Sequence, residues 1–209
     1  QRVAARALVL TAVACRGLIE KNAQDMGAEK LRQRVVNWLD SMNLTAEMEP
    51  DELTLLTTPL GKLEARAAIN AGWRSEGVAV LAWALRCAEL PPVHIQCDPS
   101  DTGNALGFLA DQKNTPLHRP VLQSEHEIEV WADTYLSLHW RLRQFSLEPG
   151  PMDFVEYVSA CDWASLCLDH LEISDADLAI NGIRIDKLDN ATFRRTLSIT
   201  QERQQALNW

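Results

Sequence analysis

His94 and Cys97, and again Cys167 and His170, are spaced i,i+3, and two such pairs have the donor types of a tetrahedral zinc site. Neither pair is a C-x-x-C knuckle, and the first lies in an alternating stretch, where residues i and i+3 face opposite sides of a strand. Nucleophilic catalysis would need a Ser or Cys beside a His and an acid, yet there is no G-x-S-x-G elbow. The five histidines are scattered, and His139 shares a helix face with Tyr135 and Leu142, the place of a core or boundary residue rather than a general base. Phosphate-binding glycine fingerprints are absent, which excludes the common nucleotide-dependent classes. No catalytic residue, metal or cofactor is assigned.

Two charged constellations remain. Arg74 and Glu76 at the start of an apolar helix, with His139 and Arg141 on another, would form a polar pocket or a structural ion-pair group if those helices packed together. The second is a run of carboxylates, Asp153, Glu156, Asp162, Asp169, Glu172, Asp175 and Asp177, with Trp163 among them. Clustered carboxylates steer and register a basic partner, and a tryptophan can anchor it; a merely solvated face is the alternative.

The charge distribution sharpens that second group. Residues 1–40 carry seven basic and four acidic side chains, whereas 151–189 carry nine acidic and two basic ones. A net charge of −9 disfavours nucleic acid, which requires a basic face. Five cysteines without framework spacing read as reduced thiols in a cytoplasm. Ala7 to Cys15, behind Arg2 and Arg6, superficially resembles a signal segment, but reads as well as the buried side of an opening helix. No apolar run has the length to span a bilayer.

The elements that must position these groups are mostly helices. Periodicity places one over about Val3 to Ile19 and another over Asp25 to Met42, with Leu31, Val35, Trp38 and Leu39 as its apolar stripe. Pro50, Asp51 and Glu52 open a third that stops before Pro59. Gly77 to Leu85 has no charged face, so a helix over about Trp73 to Ala88 is expected at the centre of the core. Val93, Ile95 and Cys97 suggest a short strand, and Pro99 to Pro120 a long surface excursion. Ser124 with Glu127 makes a capping box before Ile128, Trp131, Tyr135, Leu138, Leu142 and Phe145. A further helix follows Pro151 with Phe154, Val158, Cys161 and Leu168 on one side. Leu178 to Ile185 around Asn181-Gly182 is a type I′ hairpin, and Asp189 or Asn190 caps a final helix. With no linker between residues 1 and 209, the expectation is one mainly α domain, a multi-helix bundle around a buried central helix, with a small β-hairpin near the C-terminal end.

Three blocks resemble a bacterial family catalogued as domain of unknown function 4272. They are Trp73-Arg74-Ser75-Glu76 leading into Val80-Leu81-Ala82-Trp83-Ala84-Leu85, then Tyr135 with His139-Trp140-Arg141-Leu142-Arg143, and Glu202-Arg203 with Ala206-Leu207-Asn208-Trp209. The opening Arg6-Ala7-Leu8-Val9-Leu10 is also similar, so the resemblance spans nearly the whole chain. Gln204 stands where the family pattern has His, and Ala132-Asp133 where it has Arg-Asp. The resemblance implies a soluble bacterial protein and supplies no catalytic residues.

These features together lead to the expectation of a non-enzymatic protein that binds another protein with a basic surface, in the manner of an immunity protein neutralising a toxin. Neither nucleic acid nor a membrane is an expected partner, and no oligomeric state is signalled. The alternative is a small hydrolase or metal-dependent enzyme built on the His/Cys pairs or on the Arg74, Glu76 and Arg141 group.

Overall fold

Alanine, leucine and valine crowd the opening of the chain, and Arg2–Lys21 forms α1, with an unbroken buried run from Ala4 to Ala14. α2 (Ala28–Ser41) buries Val35 and Leu39, while Leu31 stays exposed. α3 (Pro50–Thr57) starts with Pro50 and a capping box in which the Glu52 side chain accepts the Glu49 N–H at 3.0 Å. α4 (Ala65–Ala84) begins eight residues earlier than the expected Trp73. Its first two turns mix charged and small residues and carry no apolar run, so hydropathy alone missed them. Its second half, Ser75 to Ala84, is buried all round.

The computed structural model describes every residue from Gln1 to Trp209, in two compact units. Gln1–Leu90 joins Cys97–Leu122 in the first, and Pro91–Gln96 joins Gln123–Trp209 in the second. Helices make up 60% of the chain, which fits the mainly α expectation. No helix is long and apolar enough to cross a membrane.

In the first unit α1 packs chiefly along α4. The approach is so close at Gly17 that an added Cβ would stand 2.5 Å from the Ala68 carbonyl oxygen and 2.6 Å from the Gly72 nitrogen. Charged side chains fasten the neighbouring segments to α1. The Arg6 guanidinium forks onto Glu52 with two bonds of 2.6 Å. Arg16 donates to Glu20 at 2.7 Å, and Glu20 also accepts the N–H groups of Gly61 and Leu63. Burial alone would push the Glu20 carboxyl up, but these three donors hold it below the usual carboxylate range.

The expected excursion over Pro99 to Pro120 is instead folded structure. Asp98 accepts the N–H groups of Ser100 and Asp101 with Pro99 at the first helical position, and this cap opens α5 (Pro99–Ala105). Thr102, Gly103 and Leu106 are buried. Gly107 turns the chain at φ 67°, so close to Asn114 that a Cβ would lie 2.1 Å from its carbonyl oxygen. Trp38 donates its indole N–H to the Ala110 carbonyl at 2.7 Å and packs edge-on against Phe108.

The second unit is built on α6 (Glu125–Leu147), capped by the Ser124 hydroxyl, and α8 (Asn190–Leu207), capped by Asp189. Arg203 of α8, fully buried, donates to the carbonyls of Pro91, Pro92 and Ile95 and to the Tyr135 hydroxyl. Taking up those carbonyls ties residues 91–96 to this unit as a turn, not as the expected strand. α7 (Phe154–Ala160) is shorter than expected; it ends before Cys161, and Leu168 lies outside it.

A three-stranded antiparallel sheet follows, in the order β1 (Glu172–Ser174), β2 (Asp177–Ile180), β3 (Ile183–Arg184). Asn181 and Gly182 take φ 52° and 73°, as a type I′ turn requires. The strand β1 was not expected. It joins β2 through Asp175 and Ala176, also at positive φ, 50° and 62°. Alanine there carries no turn signal, and the conformation costs it about 1–2 kcal/mol. The Ala176 carbonyl accepts the N–H groups of Phe154 and Val155, the first donors of α7, which helps hold the turn.

Candidate functional site

Between α7 and β1 the chain runs without regular structure, and polar side chains of α6 hold it in place. Ser137 accepts the Cys167 N–H at 2.8 Å, Thr134 donates to the Asp169 carbonyl at 3.0 Å, and Ser165 donates to Asp133 at 2.6 Å. The ring of Trp131 stacks on His170 with centroids 4.4 Å apart. The small polar residues at positions 134 and 137 supply these bonds because backbone groups lacking a ladder must find partners elsewhere.

This strap carries Trp163, whose side chain is the most exposed of the aromatic ladder behind it, at 56%. Its indole N–H donates to the Tyr157 hydroxyl at 3.2 Å, Tyr157 stacks on Trp140 at 3.9 Å, and Trp140 lies parallel to buried Phe154 at 6.1 Å. An exposed tryptophan is thereby braced by rings that reach into the core, which limits the rotamer entropy lost on contact. Asp162 and Asp169 of the strap, and Glu156 on the preceding α7, are exposed.

The other carboxylates expected in this face have structural work. Asp153 is exposed and accepts the Glu156 N–H as the cap of α7. Glu172 accepts the Gly182 N–H at 2.6 Å. Asp175 pairs with Arg184 at 3.1 Å. Asp177 is a correction: it is fully buried and cannot meet a partner. Arg141 grips it with two bonds of 2.7 and 2.6 Å, and the N–H groups of Met152 and Leu178 fill its remaining acceptor sites. The alternation pattern of β2 cannot reveal this, because all four of its residues are buried.

The expected polar pocket does not assemble within either unit. Arg74 and Glu76 stand on α4 of the first, Arg74 half-buried and Glu76 fully buried and accepting the Cys97 N–H at 2.9 Å. His139 and Arg141 stand on α6 of the second. His139 is half-buried and hydrogen-bonded through Nδ1 to Gln204. Arg141 is fully buried and, besides Asp177, donates to Gln144 and to the Gly150 carbonyl.

No group of three or more His, Cys, Asp or Glu side chains is placed to hold a metal ion. Cys97 is buried, and the Cys167 sulfur accepts the Asp169 N–H at 3.3 Å. Burial pushes the Cys15 thiol up to about 11 and raises Cys87 as well, the reverse of what activates a nucleophile.

A family model described as Domain of unknown function (DUF4272) matches residues 1–165. The match takes in the first unit, α6 and α7 and stops at Ser165 within the strap, so the sheet, α8 and the terminal block 202–209 lie outside it. No curated protein and no solved structure matches the chain.

Proposed function

The chain belongs to the family of that domain of unknown function, and from that premise we propose that it is a non-enzymatic protein-binding protein, of the immunity type, that neutralises a bacterial toxin through the strap of its second unit. The observation that carries this reading is the braced, exposed Trp163 on a stretch whose carboxylates at 156, 162 and 169 are exposed to solvent. The partner has a basic surface, such as the cleft of a nuclease, and occlusion of that surface needs no chemistry from the binder. The net charge of −9 steers encounter over a Debye length, about 8 Å at physiological salt, and Trp163 supplies the desolvated anchor that slows dissociation. The work is done in the cytoplasm, where reduced cysteines persist.

The test is capture of partners by the tagged protein from native lysate, followed by titration of the purified pair. One basic partner in equimolar amount is expected, with Trp163→Ala weakening it roughly thirtyfold. Changing Asp162 and Asp169 to Ser together should slow association and flatten its salt dependence. A complex that binds equally well with all three positions changed would end this reading.

A further inference from the structure

Asn181 and Gly182, the pair at the tip of the β2–β3 hairpin, have a chemistry of their own. Glycine has no side chain to shield its amide nitrogen, so in an Asn-Gly pair that nitrogen can attack the preceding side-chain amide. Both residues are exposed, and no hydrogen bond holds the Asn181 side chain. The reaction needs only water. The Gly182 nitrogen loses its proton and bonds to Asn181 Cγ, the bond from Cγ to the side-chain nitrogen breaks, and that nitrogen leaves as ammonia with the proton. The cyclic imide so formed takes up water and opens to aspartate at one carbonyl or to isoaspartate at the other.

The native turn holds this reaction off. Asn181 and Gly182 take φ 52° and 73°, and a type I′ turn sets ψ at its first central residue near about +30°. That angle turns the Gly182 nitrogen almost directly away from the Asn181 Cβ, so the peptide between them must rotate roughly half a turn before the ring can close. Two contacts oppose the rotation. Ile180, fully buried, pairs with Ile183 across the turn. The Gly182 N–H donates to the Glu172 carboxylate at 2.6 Å, a bond from the neighbouring strand β1 to the very nitrogen that would react.

We propose that Asn181 is a self-modification site that the Glu172 carboxylate keeps latent. The side-chain amide converts to aspartate or isoaspartate when Gly182 releases Glu172 and the turn opens. Because the reaction passes through the open turn, its rate follows the population of that state. Isoaspartate routes the main chain through the former side chain and lengthens the turn by one methylene, which takes β3 out of its register on β2. The site is independent of Trp163 and of the partner-binding reading.

The test ages the full chain in mildly alkaline buffer, folded and in parallel unfolded in urea, and follows the peptide containing Asn181 by mass spectrometry with separation of aspartate from isoaspartate. The folded wild type should convert at least about tenfold more slowly than the unfolded chain. Glu172→Ala, its fold checked by circular dichroism, should convert about threefold to tenfold faster than the folded wild type, the worth of one lost hydrogen bond. Glu172→Gln keeps a carbonyl acceptor and should stay within about twofold of the wild type. Should Glu172→Ala not fold, the wild type in urea below its unfolding transition serves instead, where conversion of Asn181 and hydrogen exchange of the Gly182 amide should rise in proportion. Equal rates in the folded and unfolded chain would overturn the proposal. So would a folded Glu172→Ala no faster than the wild type, and a slower one would make Glu172 a base that assists the attack. In the urea series, conversion that stays flat while the Gly182 amide exchanges faster would overturn it as well.

Discussion

The first unit is held mainly by an apolar core with buried charges at a few points, whereas the second has a buried ion pair and a buried arginine at its centre. Around α1 and α4 most buried side chains are Ala, Val, Leu and Ile, and the largely buried ion pairs Arg6–Glu52 and Arg16–Glu20, with the buried Glu76, tie neighbouring segments onto that packing. In the second unit Arg141, Asp177, Arg203, Thr134 and Ser137 are buried among Tyr135, Leu138 and Phe154. The contrast follows from what each must hold. Long helices satisfy their own backbones, so shape and apolar area do most of the work in the first unit, and its buried charged side chains serve the connecting segments. Short strands, a strap and a seven-residue helix leave many carbonyls and N–H groups over, and buried polar side chains answer them. One consequence is that non-directional packing tolerates a cavity between α1, α2, α4 and α5, while the directional bonds at the centre of the other unit fix where the strap and Trp163 stand.

Removing Asp177 is the severest way to test this contrast. Asp177→Ala strands the Arg141 guanidinium inside the second unit and should cost about 3–5 kcal/mol in denaturant unfolding. The double change Arg141→Leu with Asp177→Leu should cost much less, because it buries no unpaired charge. If the two are equal, the ion pair is not what organises that centre.

The first unit should fail by crowding instead. Gly17→Ala pushes a methyl against backbone atoms of α4 at 2.5 and 2.6 Å, which cannot swing aside, and about 1–3 kcal/mol of stability should be lost. A negligible change would mean that α1 and α4 are less tightly packed than their core implies.

The smallest effect is a titration. The folded Cys15 thiol is raised by burial from 9.0 to about 11, so its proton is held more tightly in the folded than in the unfolded chain. The stability this contributes is complete below pH 9.0 and is lost as pH rises toward about 11. Cys15→Ala should flatten that part of the curve of stability against pH. An unchanged slope would mean a wet cavity wall and would weaken the picture of a dry first unit.

Much of this architecture is legible in the chain. The caps at Ser124 and Asp189, the Pro50 start, the apolar run of α4 and the Asn181-Gly182 turn depend on neighbours a few residues away. The start of α4 and the turn at Asp175-Ala176 escaped because their signals are weak or their residues atypical, and the cap at Asp98 because it opens a helix of only seven residues without an apolar run. The division into two units left no trace either, since no Gly-, Pro- or Ser-rich segment marks where the chain passes from one to the other. At the candidate interface, composition singled out the carboxylates and Trp163 but could not sort them.

By itself the sequence determined the helical character, most element starts and the excess of negative charge toward the C-terminal end. Only the tertiary structure decided that Asp177 is sealed inside, that Trp163 is braced outside and that Glu172 holds the Gly182 N–H. Local periodicity follows from backbone geometry and reads one element at a time. The fate of a polar side chain depends on a partner brought from elsewhere, here Arg141 from 36 residues away, and spacing along the chain does not encode that meeting.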